Sequence, residues 1–409
     1  MRKYAKWLVA LVATTLLASP AFALTGDVSG FLNVRGIASN NIDDFDSDAG
    51  GSNALVDQRF RMQTSMAASE DVKAVFQIET DNVWGHGGSG GKEIGTMGSD
   101  AKGQIEVKHL YLDFKAAGAN VKAGTQYFKL GRGFIIADDA AGLSVSMDCP
   151  AVPDNKLSLF WVKTQENTTT DEADDGDFYA AKYDLKVGEF AVAPYLGYYL
   201  EGKGLGDNTI LYVGADVDGK IGDVGVSFTA VMNDWEMGNT DGGSFALMAK
   251  GTYQMDATTL SLEVATYGDE DAGGEFVTLQ QPQSGATGGY NQVSEIITGG
   301  KFDTRAGGTS NNIGGAVAPY VQNYTYLKLG AVQKLDDVSK VSAYLVHAEQ
   351  AADTTAAKAI TYGQELDLYY DYTITKGLTA TIGAAYLLAD SDLGDDDAWK
   401  TGAGLMYKF

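Results

Sequence analysis

Arg59 and Arg61 stand two residues apart in the stretch 58 to 68, which also carries Phe60, Met62 and Met66. Side chains of an extended chain alternate between faces, so this spacing sets the guanidiniums with Gln63 and Ser65 on one face and the apolar residues on the other. The next stretch, 72 to 82, likewise opposes Lys73, Gln77, Glu79 and Asp81 to Val72, Ala74, Phe76 and Ile78. Charges arranged in this way build a fixed field along a surface, not a nucleophile or a proton relay. Other chemistry has little support. His86, His109 and His347 are far apart, without ligand-like spacing, and no metal site is expected. Residues 85 to 92 have the outline of a phosphate loop, but His86 stands where that pattern needs glycine and Glu93 where it needs Ser or Thr. Asp44, Asp46, Asp48 and Gly50 echo a calcium loop, yet the glycine is one place late and Leu55 occupies the position that requires Glu. Cys149 is the single cysteine, so neither an internal disulfide nor a c-type haem attachment can form, and no G-x-S-x-G elbow is present. No catalytic residues and no cofactor are expected, and the chain does not read as an enzyme.

The elements that must position these charges are strands. Period-two alternation recurs in eighteen segments, clearest at 58–68, 72–82, 365–374 and 378–388. The remaining segments are 28–38, 104–115, 119–128, 143–148, 156–164, 178–185, 190–200, 209–217, 224–232, 245–253, 258–267, 324–333, 338–348 and 399–409. The segment at 143–148 is short, which leaves sixteen strands as the alternative. Short turns at 70–71, 116–118, 186–189, 219–223, 256–257, 334–337 and 375–377 interleave with long, acidic, glycine-rich stretches at 39–57, 83–103, 129–142, 165–177, 201–208, 233–244, 268–323, 349–364 and 389–398. That alternation fits a transmembrane antiparallel β-barrel with short periplasmic turns and long extracellular loops. The 268–323 stretch exceeds an ordinary loop. It is expected to cap the mouth, to enter the lumen or to hide a further hairpin around 276–279.

The ends and the composition agree. Arg2, Lys3 and Lys6 precede an apolar run at 7–18 and the small residues Ala21 and Ala23, the pattern of a cleavable signal peptide over 1–23. A single domain is expected over 24–409. No later window approaches the ~18 apolar residues of a membrane helix, so a spanning chain must be a closed barrel. The formal net charge of −24 excludes a basic nucleic-acid footprint and suits exposed acidic loops. Proline is scarce, at 6 residues, as long hydrogen-bonded ladders require. Tyr195, Tyr199, Tyr212, Tyr253, Tyr267, Tyr344, Tyr386 and Tyr407 lie near strand ends and are expected in interfacial aromatic girdles.

The last strand alternates Ala403, Leu405, Tyr407 and Phe409 with Lys400, Gly402, Gly404 and Lys408, and ends on the aromatic residue. Leader, alternation and terminal Phe409 together resemble the general porins of Gram-negative bacteria, across the whole chain after the leader. The resemblance implies residence in the outer-membrane lipid bilayer, passive passage of ions and small hydrophilic solutes, and a homotrimer. It makes Tyr407 and Phe409 the assembly signal. It further implies that the loop after the fifth strand, here 129–142 with Arg132, Asp138 and Asp139, folds inward to face a basic wall. The wall candidates are Arg35, Arg59, Arg61, Lys73 and Lys122, and opposed charges of this kind set a transverse field across a narrow neck. The alternative is a barrel sheath that houses a partner, such as an exported multihaem cytochrome. Lacking haem motifs of its own, the chain would need a separate partner for that role.

Overall fold

The computed structural model describes residues 25–42, 45–49, 52–85, 105–149, 152, 154–166, 175–202, 208–268, 276–279, 293–302, 324–351 and 359–409. The leader expected over 1–23 lies outside the described residues. The strands are β1 (Thr25–Asn40), β2 (Asn53–Ser69), β3 (Val72–Val83), β4 (Glu106–Ala116), β5 (Ala119–Leu130) and β6 (Ile136–Asp148). Next come β7 (Lys156–Gln165), β8 (Gly176–Val187), β9 (Phe190–Glu201), β10 (Asn208–Ile221), β11 (Val224–Met237) and β12 (Thr240–Met255). The last are β13 (Thr258–Tyr267), β14 (Tyr324–Lys334), β15 (Ser339–Gln350), β16 (Ile360–Thr375), β17 (Leu378–Ala389) and β18 (Ala398–Lys408). Each pairs antiparallel with its chain neighbours, and β18 returns to β1, which closes an 18-stranded sheet. Every expected segment coincides with one of these strands. The short one at 143–148 is the second half of β6, so the sixteen-strand alternative falls away.

Period two dictates this outcome. On β16, Leu366, Leu368, Tyr370, Tyr372 and Ile374 face outward and are exposed, while Glu365 and Asp367 between them are buried inside. The same inversion runs round the barrel, and a continuous exposed apolar belt over a charged interior is what a bilayer requires. Among the described residues no helix is long and apolar enough to cross a membrane. At the seam, Leu32 pairs with Tyr407 and Val34 with Leu405. The Phe409 amide and carbonyl exchange bonds with Gly30 at 3.1 and 3.0 Å, and its ring stacks on Phe60.

Three expectations are corrected. Residues 233–244 form no long loop: β11 and β12 run on to a turn at 238–239. The 129–142 stretch is mostly strand, with only 131–135 between β5 and β6. Tyr195, Tyr199 and Tyr212 are not girdle residues, because they share the inward phase of β9 and β10 and are buried in the lumen. Tyr344 also points inward, packing on Tyr369. Tyr253, Tyr386 and Tyr407 are exposed outside as expected.

Candidate pore constriction

The β5–β6 hairpin leaves the wall. Pairing with β4 stops at Leu110–Thr125 and pairing with β7 stops at Ala141–Lys163, so residues 126–140 keep only each other as strand partners. The tip crosses to the inner faces of β9 to β11. Arg132, held at φ 54° in the tip, donates to Thr229 at 2.7 Å and to Asp218 at 2.6 Å, with Asp216 at 3.9 Å. Gly131 lies against the Tyr195 hydroxyl, where an added Cβ would come within 3.1 Å.

The β13–β14 connection also enters the lumen. Phe276 packs edge-on against Phe134 of the hairpin tip, and the Val277 carbonyl accepts bonds from Tyr212 at 2.9 Å and Asn233 at 3.1 Å. Leu279 donates to Ile135 at 2.9 Å. Residues 276–279 therefore form no further hairpin; they complete an apolar core with Phe178, Tyr199, Ile210, Tyr212 and Val231 of the wall. Residues 293–302 seat on the opposite side. There Phe302 stacks on Tyr369 and presses on Gly383 and Gly402, whose added Cβ atoms would meet its ring at 2.7 and 2.3 Å.

The charged wall is β1 to β5, and its guanidiniums are matched by carboxylates on neighbouring strands. Arg35 is 2 % exposed, bonded to both oxygens of Asp57 and, at 2.6 Å, to the Lys301 carbonyl. Arg59 binds Asp81 and lies 3.6 Å from Glu79, while Arg61 binds Glu79 and covers the Phe31 ring. Arg59 and Arg61 remain 20 % and 32 % exposed, so water borders them. Lys73 lies next to the 70–71 turn, 3.3 Å from Asp113, and Lys122 sits over the Tyr111 ring. These two stand toward the short-turn end, away from the Arg59–Arg61 pair. Asp139 meets Lys108 and His109, both at 2.9 Å, whereas Asp138 is exposed and accepts the Asp139 amide. Lys108 is also within Coulombic reach of Glu79 and Arg61. Hairpin and wall thus join through one network: Arg59, Arg61, Glu79, Asp81, Lys108, His109 and Asp139.

Lys108 escaped sequence reasoning for a physical reason. A one-residue bulge opposite Gln77 and Ile78 turns both Lys108 and His109 inward, breaking strict alternation. Glu295, Lys301 and Phe302 were missed because nothing in a long loop says which of its residues dock. Among the described residues no group of three or more His, Cys, Asp or Glu is placed to hold a metal ion.

The barrel is similar to solved outer-membrane structures. It superposes on the outer membrane protein OpdK of Pseudomonas aeruginosa with a TM-score of 0.58 at 11% identity, covering 94% of this chain and 98% of that one. The fold is shared. OccAB4 of Acinetobacter baumannii gives 0.58 at 10% identity over 95% and 100% of the two chains. A structure of OpdK with vanillate gives 0.56 at 11% identity over 94% and 98%. No family model and no curated protein matches the chain.

Proposed function

We propose that the chain is an outer-membrane porin, exported by the 1–23 leader, that forms a water-filled path for passive diffusion of ions and small hydrophilic solutes. The observation that carries this reading is the water-bordered network between the hairpin and the β2–β4 wall. An 18-stranded barrel is wide enough for an aqueous channel, and inward segments reduce it to a neck. Arg59, Arg61 and Asp139 line that neck in this proposal, with Arg35 buttressing its rim through Lys301. Arg132 fixes the hairpin from the far side, and Asp138 faces the water beside Asp139. Lys73 and Lys122 line the wider short-turn half. Tyr407 and Phe409 serve as the assembly signal, and the homotrimer implied by the porin resemblance belongs to the same proposal.

The cytochrome-sheath alternative gains no support from a lumen that the chain's own segments enter. Purified protein in a planar bilayer is expected to give stepwise, salt-dependent conductance. Vanillate, the solute in one OpdK structure, is a suitable probe for partial block. A silent barrel that co-purifies with a second protein would overturn the channel reading. Mass in detergent tests the trimer.

A further inference from the structure

The short-turn end of the lumen holds a cavity of about 710 Å³ along β14 to β18 and β1, with Lys301 and Phe302 of the inner segment in its lining. Four lysines border it: Lys301, Lys334 of β14, Lys340 of β15 and Lys408 of β18. Lys334 and Lys340 stand directly opposite each other in the β14–β15 ladder. Like charges at such a position repel and cost stability, so the placement calls for a counter-charge.

The carboxylates in the lining are engaged elsewhere. Asp371 takes Lys301 at 3.1 Å and Lys340 at 3.5 Å, and accepts the Thr381 hydroxyl as well. Asp336 folds back on its own turn, where it accepts the Val338 amide at 2.9 Å and the Ser339 amide and hydroxyl, each at 2.7 Å. Asp337 is exposed on the same turn. Among the described residues Lys334 and Lys408 have no ion-pair partner, and Lys301 and Lys340 keep 44 % and 49 % of their side-chain surface. Thr373 and Thr379, opposite one another on β16 and β17, add hydroxyls to the lining.

The kind of donor indicates the kind of anion. A guanidinium fork matches a planar carboxylate, whereas an ammonium acts on phosphate as a point charge. Arg35 also lines the cavity, but its fork lies on both oxygens of Asp57 and it donates again to the Lys301 carbonyl. What remains is ammonium and hydroxyl groups brought by separate elements, which can meet a tetrahedral group from several sides. We propose that this cavity binds a phosphate group, free or carried by a small solute, through Lys301, Lys334, Lys340 and Lys408. Bound there, the anion supplies the counter-charge that Lys334 and Lys340 lack. Its use as a station for passing solutes rests on the channel reading; binding itself does not.

Titration calorimetry on the folded, detergent-solubilised chain reads the site without any need for conduction. Inorganic phosphate is expected to bind saturably. Lys334→Gln and Lys340→Gln should each weaken that binding about tenfold, the loss of one charge-assisted bond. Lys220→Gln, at the short-turn end of β10 and outside this cavity, should leave it unchanged. Binding should be weaker at pH ~5 than at pH ~7.5, because phosphate becomes a dianion above pH ~6 while lysine stays charged throughout. Glycerol 3-phosphate separates the sources: equal binding assigns the site to a phosphoryl group on a small solute, and its failure beside bound phosphate assigns it to the free ion. Acetate binding as tightly as phosphate would overturn the tetrahedral class. No saturable binding by the wild-type chain overturns the site whatever the variants do, and so does phosphate binding that ignores both lysine substitutions. Conductance recorded in parallel keeps the two readings apart, since phosphate binding by a silent barrel removes the channel and leaves the site.

Discussion

Replacing Arg59 and Arg61 together by glutamine removes the partners of Glu79 and Asp81, so the neck gains two uncompensated negative charges. An ion passing about 5 Å from each charge in water feels ~0.8 kcal/mol per charge. Screening at 0.1 M salt leaves ~1 kcal/mol for the two together. Cations and anions shift in opposite senses, so their permeability ratio should change by ~2 kcal/mol, about 30-fold toward cations. The reversal potential across a planar bilayer in a tenfold potassium chloride gradient reads this directly. At 1 M salt the Debye length shrinks to ~3 Å and the change should fall to about threefold. Adding Glu79→Gln and Asp81→Asn to the same chain should restore the parental selectivity, because the network is then neutral again. An unchanged potential in the double variant, or a shift that survives in the quadruple variant, would refute the placement of this network at the neck.

Four further outcomes are expected. Gly402→Leu drives a side chain into the Phe302 ring and should unseat residues 301–302, raising single-channel conductance; equal conductance would show that Phe302 does not border the path. Arg132→Ala releases the hairpin tip from β10 and β11 at a cost of ~1 to 2 kcal/mol, read as roughly tenfold faster amide exchange over 131–135. In the 335–338 turn the hydroxyl of Ser339, followed by the Val338 amide, holds the Asp336 carboxyl below its ordinary value. Protection of the Val338 and Ser339 amides should therefore be full above the ordinary carboxylate range, fade as pH falls through the lowered value, and be lost at all pH in Asp336→Ala. Deleting Phe409 removes both bonds to Gly30 and the Phe60 stack, whereas Phe409→Ala removes the stack alone, so thermal stability should fall further in the deletion.

Strand count and facing were legible in the sequence because both follow from period two, which a bilayer enforces on each strand separately. Register was not. The two-residue turn at 70–71 taken alone would pair Ser69 with Val72 and carry Arg61 to a place opposite Thr80, on the wrong face. A bulge between Ala67 and Ser69 shifts the ladder by one residue and sets Arg61 opposite Glu79 and Arg59 opposite Asp81. The arginines were thus visible as wall charges, but their neutralisation was not. Tyrosines misled for a related reason: where inner segments pack on the wall, as on β9 and β10, the lumen face is as apolar as the outer one, and alternation in polarity no longer tells them apart.

That apolar inner face also bears on where solutes travel. Strand number fixes the size of the ring, but the chain spends part of it on its own hairpin and on the β13–β14 connection, which bury apolar inner residues of β8 to β11 such as Phe178, Tyr199, Tyr212 and Val231 almost completely. On the other side Arg59, Arg61, Lys108 and Asp139 keep between 17 % and 32 % of their side-chain surface. In the proposed channel, ions at the level of the Arg59–Asp139 network are expected to pass off-centre, along β2 to β4. A bare row of arginines there would trap anions, while cross-strand pairs leave alternating charges whose far field cancels. Because the intact network is neutral, the two arginines, and not the chain's net charge of −24, are expected to govern selectivity at the neck.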